Sequence, residues 1–220
     1  MKQVTLADLK TDPFVQGYIE GGNRHLGAIG YTEHGFRHVN LVAHIASNLL
    51  EKLEHPAREC ELAAIAGYLH DIGNAVNRVG HAHTGAVLAA GILERHTMPP
   101  EEITTIIGAI GNHDEGDGHP VSPVSAALIL ADKSDVHRSR VRNPDLSTFD
   151  IHDRVNYAVE RSFLRVYSEN HVALELTINT EICPVMDYFE IFMARMLLSR
   201  KAAEFLGAQF ELVINGVKLL

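Results

Sequence analysis

The chain has 220 residues, of which 46% are hydrophobic, enough for one large domain or for a domain with an appendage. Its formal net charge of -9 argues against broad binding to a nucleic-acid backbone. No stretch reaches the roughly 18 uninterrupted apolar residues of a membrane span, and the first residues lack the apolar core of a signal peptide. Cys60 and Cys183 show neither a metal-binding spacing nor a disulfide framework. We therefore expect a cytoplasmic protein with reduced thiols, and neither a membrane nor bulk nucleic acid as a partner.

Helices dominate the first 145 residues in this interpretation. Asp12-Pro13 marks a helix start within the first helical stretch, and Gly21-Gly22-Asn23 is expected to end it. Apolar residues then recur at three- and four-residue spacing, which is typical of amphipathic helices. The predicted helices cover residues 6–20, 35–54, 57–69, a stretch from 80 to about 97, a stretch after Pro100, and 121–136.

The remaining residues predict a smaller unit with both helices and strands. The arginine-rich segment 138–145 is expected to be an exposed loop that either holds a phosphate or is simply solvated. A helix from Asp150 to about Arg165, a strand over 171–178 and a helix over 184–206 follow. Asn215-Gly216 between apolar runs predicts a β-hairpin. We thus expect a mainly α fold: a helical domain over residues 1–145 and a small C-terminal α+β appendage over 146–220.

A histidine and an aspartate lie side by side where a predicted helix ends, in the segment Gly67-Tyr68-Leu69-His70-Asp71-Ile72-Gly73-Asn74. Imidazole and carboxylate together suit divalent transition ions such as Mn, Fe, Co, Ni or Zn. Adjacent helical residues point about 100° apart, so both reach one ion only at the helix end. Gly73 is expected to stop the helix there in a left-handed conformation. A buried histidine bonded to its neighbour's carboxylate also explains an isolated pair of this kind.

Further histidines and acids lie at the edges of other apolar segments. These groups are His34 with His38, His81 with His83, His113 to Glu115, and Asp132 to Asp135. One group on each helix, in the order His, His-Asp, His, His, Asp, is the arrangement that a metal site inside a helical bundle requires. The complete set therefore favours a metal site over a single structural histidine.

These residues carry a resemblance to a known family. The chain resembles the HD-domain superfamily of metal-dependent phosphohydrolases, whose signature is matched by His38, His70-Asp71 and Asp132. It is similar in more detail to the HD-GYP branch, which hydrolyses cyclic dinucleotides. In that branch the matching segments are His81 to Gly85-Ala86, and His113 with Asp117-Gly118. The resemblance covers roughly residues 30 to 136.

Departures from the motifs of related branches narrow the range of expected substrates. Asn74 stands where the HD-GYP branch has Lys, and Asn112-His113 stands where it has a double histidine. His119-Pro120 takes the place of its Gly-Tyr-Pro triplet, so neither a third metal nor a fully equivalent cyclic dinucleotide site is expected. Asn74-Ala75 also replace the Glu-Asp of the alarmone hydrolases, which disfavours that substrate.

The resemblance implies a set of metal ligands. We assign His38, His70, Asp71 and Asp132 to a first ion, with Asp71 as a bridge to a second ion that His81 and His113 hold. With one ion only, His81 and His113 would instead donate hydrogen bonds to the phosphate or carry protons. His34 is either a further ligand, a residue that positions the partner of His38, or a helix-start histidine without a metal role.

The predicted function is a divalent-metal-dependent phosphohydrolase that cleaves a small phosphate ester, such as a nucleotide or cyclic nucleotide, with metal-activated water. Asp71, His81 and His113 are its predicted catalytic residues, and Arg37, Arg78 and Lys133 are predicted to bind the substrate's phosphate. The alternatives are a non-catalytic HD-fold signalling or binding module and a di-iron redox enzyme. Two roles are open for the appendage, namely formation of a homodimer and selection of the substrate.

Overall fold

The computed structural model describes residues 3–168 and 170–219. The helices in this part of the chain are α1 (Leu6–Lys10), α2 (Pro13–Ala28), α3 (Phe36–Lys52), α4 (Ala57–Leu69), α5 (His81–Arg95), α6 (Pro100–Gly111), α7 (Pro123–Lys133), α8 (Ile151–Ala158) and α9 (Val185–Phe205). The strands are β1 (Val159–Ser168), β2 (His171–Ile178), β3 (Gln209–Ile214) and β4 (Val217–Lys218). The mainly helical fold with a C-terminal α+β part is thereby confirmed, whereas the boundary after residue 145 stays a prediction. None of the helices described is long and apolar enough to cross a membrane.

Helices α3, α4 and α7 pack together at the centre of the helical part. Val39, Val42 and Ala46 on one stripe of α3 are fully buried, as its apolar spacing predicts. Helix α4 is buried from Leu62 to its end, which fits a sequence without a polar stripe. The His-Asp pair that follows α4 is therefore delivered into the interior of the protein.

Helix α2 continues through Gly21-Gly22-Asn23, where the sequence predicted a break. Gly22 does not break the helix, because its role is to allow a close neighbour. A Cβ at Gly22 would lie 3.1 Å from the backbone nitrogen of Ala75 and 3.2 Å from the Cβ of Asn74. Gly22 thus allows α2 to approach the segment that follows the His-Asp pair, a role that local propensity does not reveal.

Gly73 also differs from its predicted role, because it does not end α4 in the left-handed conformation. Helix α4 ends at Leu69, and Ile72–Ala75 form a short 3-10 helix in which Gly73 has no positive φ. A Cβ at Gly73 would overlap the carbonyl oxygen of His81 and would lie 2.6 Å from the backbone nitrogen of Gly85. The absence of a side chain at Gly73 lets the turn after Asp71 touch the first turn of α5.

The segment after Asp150 is half helix and half strand, although the sequence predicted a helix to about Arg165. Helix α8 ends at Ala158 and β1 starts at the next residue. Strand β1 pairs antiparallel with β2, and Phe163 and Arg165 on one face are exposed while Leu164 between them is half-buried. This alternation is the period-two pattern of a strand.

Strands β2 and β3 are parallel, and α9 crosses between them. Helix α9 packs on β3 and also on α7, so that it attaches the C-terminal part to the helical part. The predicted hairpin is confirmed: Asn215 and Gly216, with φ values of 52° and 79°, join β3 to β4. Positive φ at both turn residues is typical of the type I′ turn that the Asn-Gly pair predicted.

Replacing Gly73 by alanine should lower the free energy of unfolding by about 1–3 kcal/mol, because the added methyl group forces α5 away from the turn. Gly91, also in α5, has open space around it. Gly91→Ala should raise the free energy of unfolding by up to about 1 kcal/mol, since alanine favours helix. Urea denaturation of both variants checks this, and equal stabilities would contradict the proposed role of Gly73.

Candidate metal centre

Four buried side chains from three helices converge at the end of α4. His38 lies in the first turn of α3, His70-Asp71 follow Leu69, and Asp132 lies near the end of α7. The Nε2 atoms of His38 and His70 are 3.2 Å apart. Oδ2 of Asp71 lies 3.5 Å and 3.4 Å from these two nitrogens, and Oδ1 of Asp132 lies 3.3 Å and 3.6 Å from them. Four potential ligand atoms thus surround one point.

A second group shares Asp71 with the first. The other carboxylate oxygen, Oδ1, lies 3.5 Å from Nε2 of His81 at the start of α5. Nε2 of His81 is in turn 3.2 Å from Nε2 of His113, which follows α6. Both histidines are 1% exposed. The contact at Gly73 contributes to this geometry, because it sets how closely α5 approaches the turn that carries Asp71.

Each of the four histidines is held through its Nδ1 atom. In His70, His81 and His113 this atom lies 2.8, 3.1 and 2.6 Å from the backbone carbonyl oxygen three residues earlier. In His38 it lies 2.7 Å from Oδ2 of Asp135. Because carbonyl and carboxylate oxygens only accept, each Nδ1 donates a hydrogen. The Nε2 atom of a neutral ring then presents a lone pair to the interior, as metal-binding histidines do.

The residues fit a divalent ion on two observations. Nε2 of His81 faces Nε2 of His113 at 3.2 Å, and neutral rings whose hydrogen is on Nδ1 have none to place between them. Oδ2 of Asp71 is also buried without a hydrogen-bond donor among the described residues. Leaving such an oxygen unpaired costs free energy. A cation at the convergence point satisfies both, and the mixed imidazole and carboxylate set suits a transition ion.

The local field favours a positive charge on the imidazole of His70. Burial lowers the pKa of this imidazole, but the carboxylates of Asp71 and Asp132 outweigh burial and raise the pKa of His70 to about 10. Burial raises the pKa of Asp71, yet His70 and the other nearby histidines hold it well below its ordinary value. Burial lowers the pKa of His113 well below 6.5, and His70 adds to this effect. The carboxylates therefore stay ionised and His113 stays neutral, which are the forms that bind metals.

Four of the candidate ligands, Asp71, His81, His113 and Asp132, line a small cavity of about 10 Å³ that adjoins a larger one of about 490 Å³. His34, Arg78, Arg140 and Arg195 line both cavities. The larger volume lies within the range of small-molecule sites. Its walls come from the loop after α2, the loop before α5, helix α8 and helix α9. The metal centre therefore adjoins a space that the C-terminal part of the chain helps to enclose.

Two arginines at this junction have donors to offer. Arg195 of α9 is held by its Nε, 2.7 Å from Oε1 of Glu115, and lies 4.6 Å from the ring centre of Phe192. Its terminal amino groups make no hydrogen bond within the part of the chain that the structure describes. One terminal nitrogen of Arg78 lies 3.1 Å from Nε2 of His81, and the other lies 3.8 Å from Oδ1 of Asp114. Both arginines can therefore face an anion at the mouth of the metal centre.

Arg140 has a structural role instead. It is 2% exposed and donates hydrogen bonds to the backbone oxygens of Glu33 and Asp135. These bonds fix the loop that precedes α3 to the segment that follows α7. The arginine-rich segment 138–145, expected to be an exposed loop, thus contains one buried residue.

The other predicted substrate-binding residues contact carboxylates. Arg37 lines neither cavity, since its guanidinium is bonded to Asp135 at 2.7 and 3.3 Å and to Glu33 at 3.0 Å. Lys133 lines the small cavity, with Nζ 2.6 Å from Oδ2 of Asp132 and 3.2 Å from Oε1 of Glu115. Both residues orient acids around the metal centre in this structure, and their phosphate-binding roles stay predictions.

His34 lines both cavities without joining the ligand groups. Its Nδ1 lies 2.7 Å from the backbone oxygen of Thr32, and its ring centre is 5.4 Å from that of His38. Among the described residues, the three groups that could hold an ion are formed from His38, His70, Asp71, His81, His113 and Asp132. The structure thus brings together six of the seven predicted ligands and leaves His34 at the edge.

Sequence reasoning placed Asp135 and Glu115 in two of its polar groups without giving either a role, and it did not name Arg195. Asp135 lies three residues after Asp132, a spacing that could have suggested a partner for a ligand on the same side of the chain. Glu115 follows the His113-Asp114 pair closely. Arg195 lies in no motif, and only the packing of α9 on α7 brings it to the cavity.

Comparison with known proteins agrees with this geometry. The family model described as "HD domain" matches residues 35–141. These residues form an HD domain. HD domains generally bind divalent metals, and many are metal-dependent hydrolases while some are non-catalytic. The predicted resemblance to the superfamily is thereby confirmed, and the closer likeness to the HD-GYP branch stays a prediction.

The chain is also similar to a protein from Methanocaldococcus jannaschii whose name is "Uncharacterized protein MJ1020". It is 26% identical over 178 residues, with a coverage of 71% of this chain and 68% of that protein. Its name states no activity. The similarity to this relative therefore supports no particular substrate for the HD domain.

Replacing Asp135 by asparagine should weaken binding of Mn²⁺ by about 10–100-fold, the usual effect of losing the carboxylate that orients a histidine ligand. The reason is that Asp135 fixes the ring of His38. Asp145, exposed in the loop before α8, is the matched control, and Asp145→Asn should bind as the wild type does. Isothermal titration calorimetry measures both, with circular dichroism to establish folding. Equal affinities in the two variants would contradict the role of Asp135.

Proposed function

We propose that this protein is a divalent-metal-dependent phosphohydrolase that acts on a small phosphate ester. The observation that carries the proposal is the shared position of Asp71. One of its oxygens faces His38 and His70, and the other faces His81. Such a bridging carboxylate is what a pair of neighbouring ions requires. A larger cavity with two available arginines adjoins this site.

In this proposal His38, His70, Asp71 and Asp132 would hold one ion, and Asp71, His81 and His113 would hold a second. Bound divalent ions supply hydroxide at neutral pH, by lowering the pKa of a coordinated water, and neutralise charge on phosphoryl oxygens. The protein contributes a buried and preorganised ligand set. Because each ring is fixed through Nδ1, little rearrangement is needed when an ion binds.

Arg195 and Arg78 would bind the phosphate of the substrate. The guanidinium of Arg195 is restrained by Glu115 on one edge and by the ring of Phe192 on one face. Its terminal amino groups can then donate two parallel hydrogen bonds to phosphoryl oxygens. Arg78 adds a second cation close to His81. These positive groups support an anionic substrate despite the net charge of -9.

The size of the larger cavity supports a small molecule as the substrate. About 490 Å³ is enough to enclose most of a phosphorylated metabolite such as a nucleotide. A non-catalytic binding module would not need a carboxylate shared between two ligand groups, and no described feature favours that alternative.

Metal analysis of protein purified without added metal or chelator tests the ligand set. About two equivalents of transition metal are expected in the wild type, about one in His113→Ala and none in Asp71→Ala, because Asp71 serves both ions. His83, whose side chain is 65% exposed, provides the control, and His83→Ala should keep the wild-type content. The same samples are then assayed on a panel of phosphomonoesters and phosphodiesters. If metal-loaded protein leaves the whole panel intact, the protein is better described as a binding module.

Replacing Arg195 by methionine should lower kcat/KM for phosphate esters by about 10–100-fold, which corresponds to about 1.5–3 kcal/mol for a charge-assisted hydrogen bond. Metal content should stay unchanged, since Arg195 touches no ligand directly. Arg200, on the same helix, is exposed and pairs with Glu204 at 3.9 Å. Arg200→Met should therefore leave kcat/KM as in the wild type. A similar loss in both variants would show that only the stability of α9 matters.

A further inference from the structure

The larger cavity has a second polar wall, built by α8. Asp150, His152, Asp153 and Asn156 line this cavity but not the small cavity of the metal centre. They share the large cavity with the arginines but do not line the metal centre itself. This wall also lies outside residues 35–141, so it belongs to the part of the chain that follows the HD domain.

The wall presents hydrogen-bond acceptors. Oδ1 of Asp150 caps α8 by accepting from the backbone nitrogen of Asp153 at 2.8 Å. Asp153 accepts through Oδ2 from Asn143 at 3.4 Å. Neither carboxylate forms an ion pair within the described residues, which leaves one oxygen of each carboxylate available. Two carboxylates, each with an available oxygen, thus line the cavity.

Asn156 adds an independent sign that this wall receives a ligand. It is only 5% exposed, and its Nδ2 donates to the backbone oxygen of His152 at 2.9 Å. Its Oδ1 accepts no hydrogen bond from the residues that the structure describes. This oxygen is not enclosed by protein, because Asn156 lines the cavity, and it is therefore open to a ligand there. A donor on a bound molecule would complete the pairing.

The lining of the larger cavity therefore combines two kinds of polar group. The arginines also line the small cavity of the metal centre, whereas the acceptor oxygens of α8 do not. The exposed side chains of Ile29 and Tyr31 contribute apolar surface to the same cavity. A ligand that matches this distribution has a phosphate at one end and hydrogen-bond donors at the other. A second anionic group at the α8 wall would be repelled.

We propose that the α8 wall selects phosphate esters whose alcohol part carries amino or hydroxyl donors, nucleoside monophosphates among them, and rejects esters with a second anionic group. This inference rests on the proposed phosphohydrolase function. It gives the C-terminal part of the chain the task of substrate selection. The acceptors act by binding the leaving alcohol and do not touch the metal ligands.

The test compares Asp150→Asn, Asp153→Asn and the double variant with the wild type. Asparagine keeps the helix cap and the size of the side chain, so the fold is expected to persist. The substrates are adenosine 5′-monophosphate, which carries donors, and 4-nitrophenyl phosphate, which carries none. A bisphosphorylated nucleoside serves as the ester with two anionic groups. Asp145→Asn, a change of the same kind outside the cavity, is the control.

The double variant should raise KM for adenosine 5′-monophosphate by about tenfold or more, as expected for lost hydrogen bonds to charged groups. Its kcat/KM for 4-nitrophenyl phosphate should match the wild type, and its discrimination against the bisphosphate should diminish. If all variants treat the three esters as the wild type does, the selection by α8 is refuted while the phosphohydrolase function stands.

Equilibrium binding separates a failure of hydrolysis from a failure of selection by the α8 wall. Isothermal titration calorimetry with the same esters measures how the α8 wall affects their binding, without any turnover. Weaker binding of adenosine 5′-monophosphate by the double variant, with unchanged binding of 4-nitrophenyl phosphate, would support the wall even if no ester were cleaved. Equal binding by wild type and variant would overturn it. Absence of hydrolysis by all metal-loaded proteins would refute the phosphohydrolase function alone.

Discussion

The buried carboxylate of Asp71 stands between two groups of imidazole nitrogens, and much of the surrounding structure serves to hold it there. A carboxylate in an apolar interior is costly unless positive charge compensates it. Here the compensation comes from the imidazolium of His70, because Asp71 and Asp132 raise the pKa of His70 to about 10. A bound metal ion would supply the same positive charge. Helix α4 delivers Asp71 to a position that water does not reach easily. The electrostatic requirement of this one residue thus explains why histidines from other helices converge on it.

Acidic residues around the metal centre connect it to the remainder of the chain. Asp135 accepts from His38 and Arg37, and it lies 3.7 Å from Arg140, which anchors the loop before α3. Glu115 joins Lys133 to Arg195, and Lys133 contacts Asp132. Burial would raise the pKa of Asp135, but Arg140, His38 and Arg37 outweigh burial and hold this pKa below its ordinary value. A ligand of the metal centre and an arginine of α9 are therefore linked through charged contacts.

Sequence reasoning recovered the parts that local patterns encode. The spacing of His38, His70-Asp71 and Asp132 placed one ligand group at each helix end, and Asn215-Gly216 placed the hairpin. It misread Gly22 and Gly73, because propensity rules assign glycine to helix ends, whereas here it permits contact between segments distant in the chain. It extended α8 too far, since β1 becomes a strand through pairing with β2. It missed Arg195 because no spacing rule relates residues that only tertiary packing brings together.

The parallel pairing of β2 with β3 carries a consequence for biosynthesis. A ribosome releases the chain from its amino end, so every ligand of the metal centre, together with Asp135, has emerged before α9. Helix α9 lies between two parallel strands, and it is fixed on both sides only after β3 has emerged and aligned with β2. The residues of the candidate metal centre therefore leave the ribosome well before Arg195 can be fixed beside them. Completion of the larger cavity is thus a later event in biosynthesis than synthesis of the candidate metal ligands.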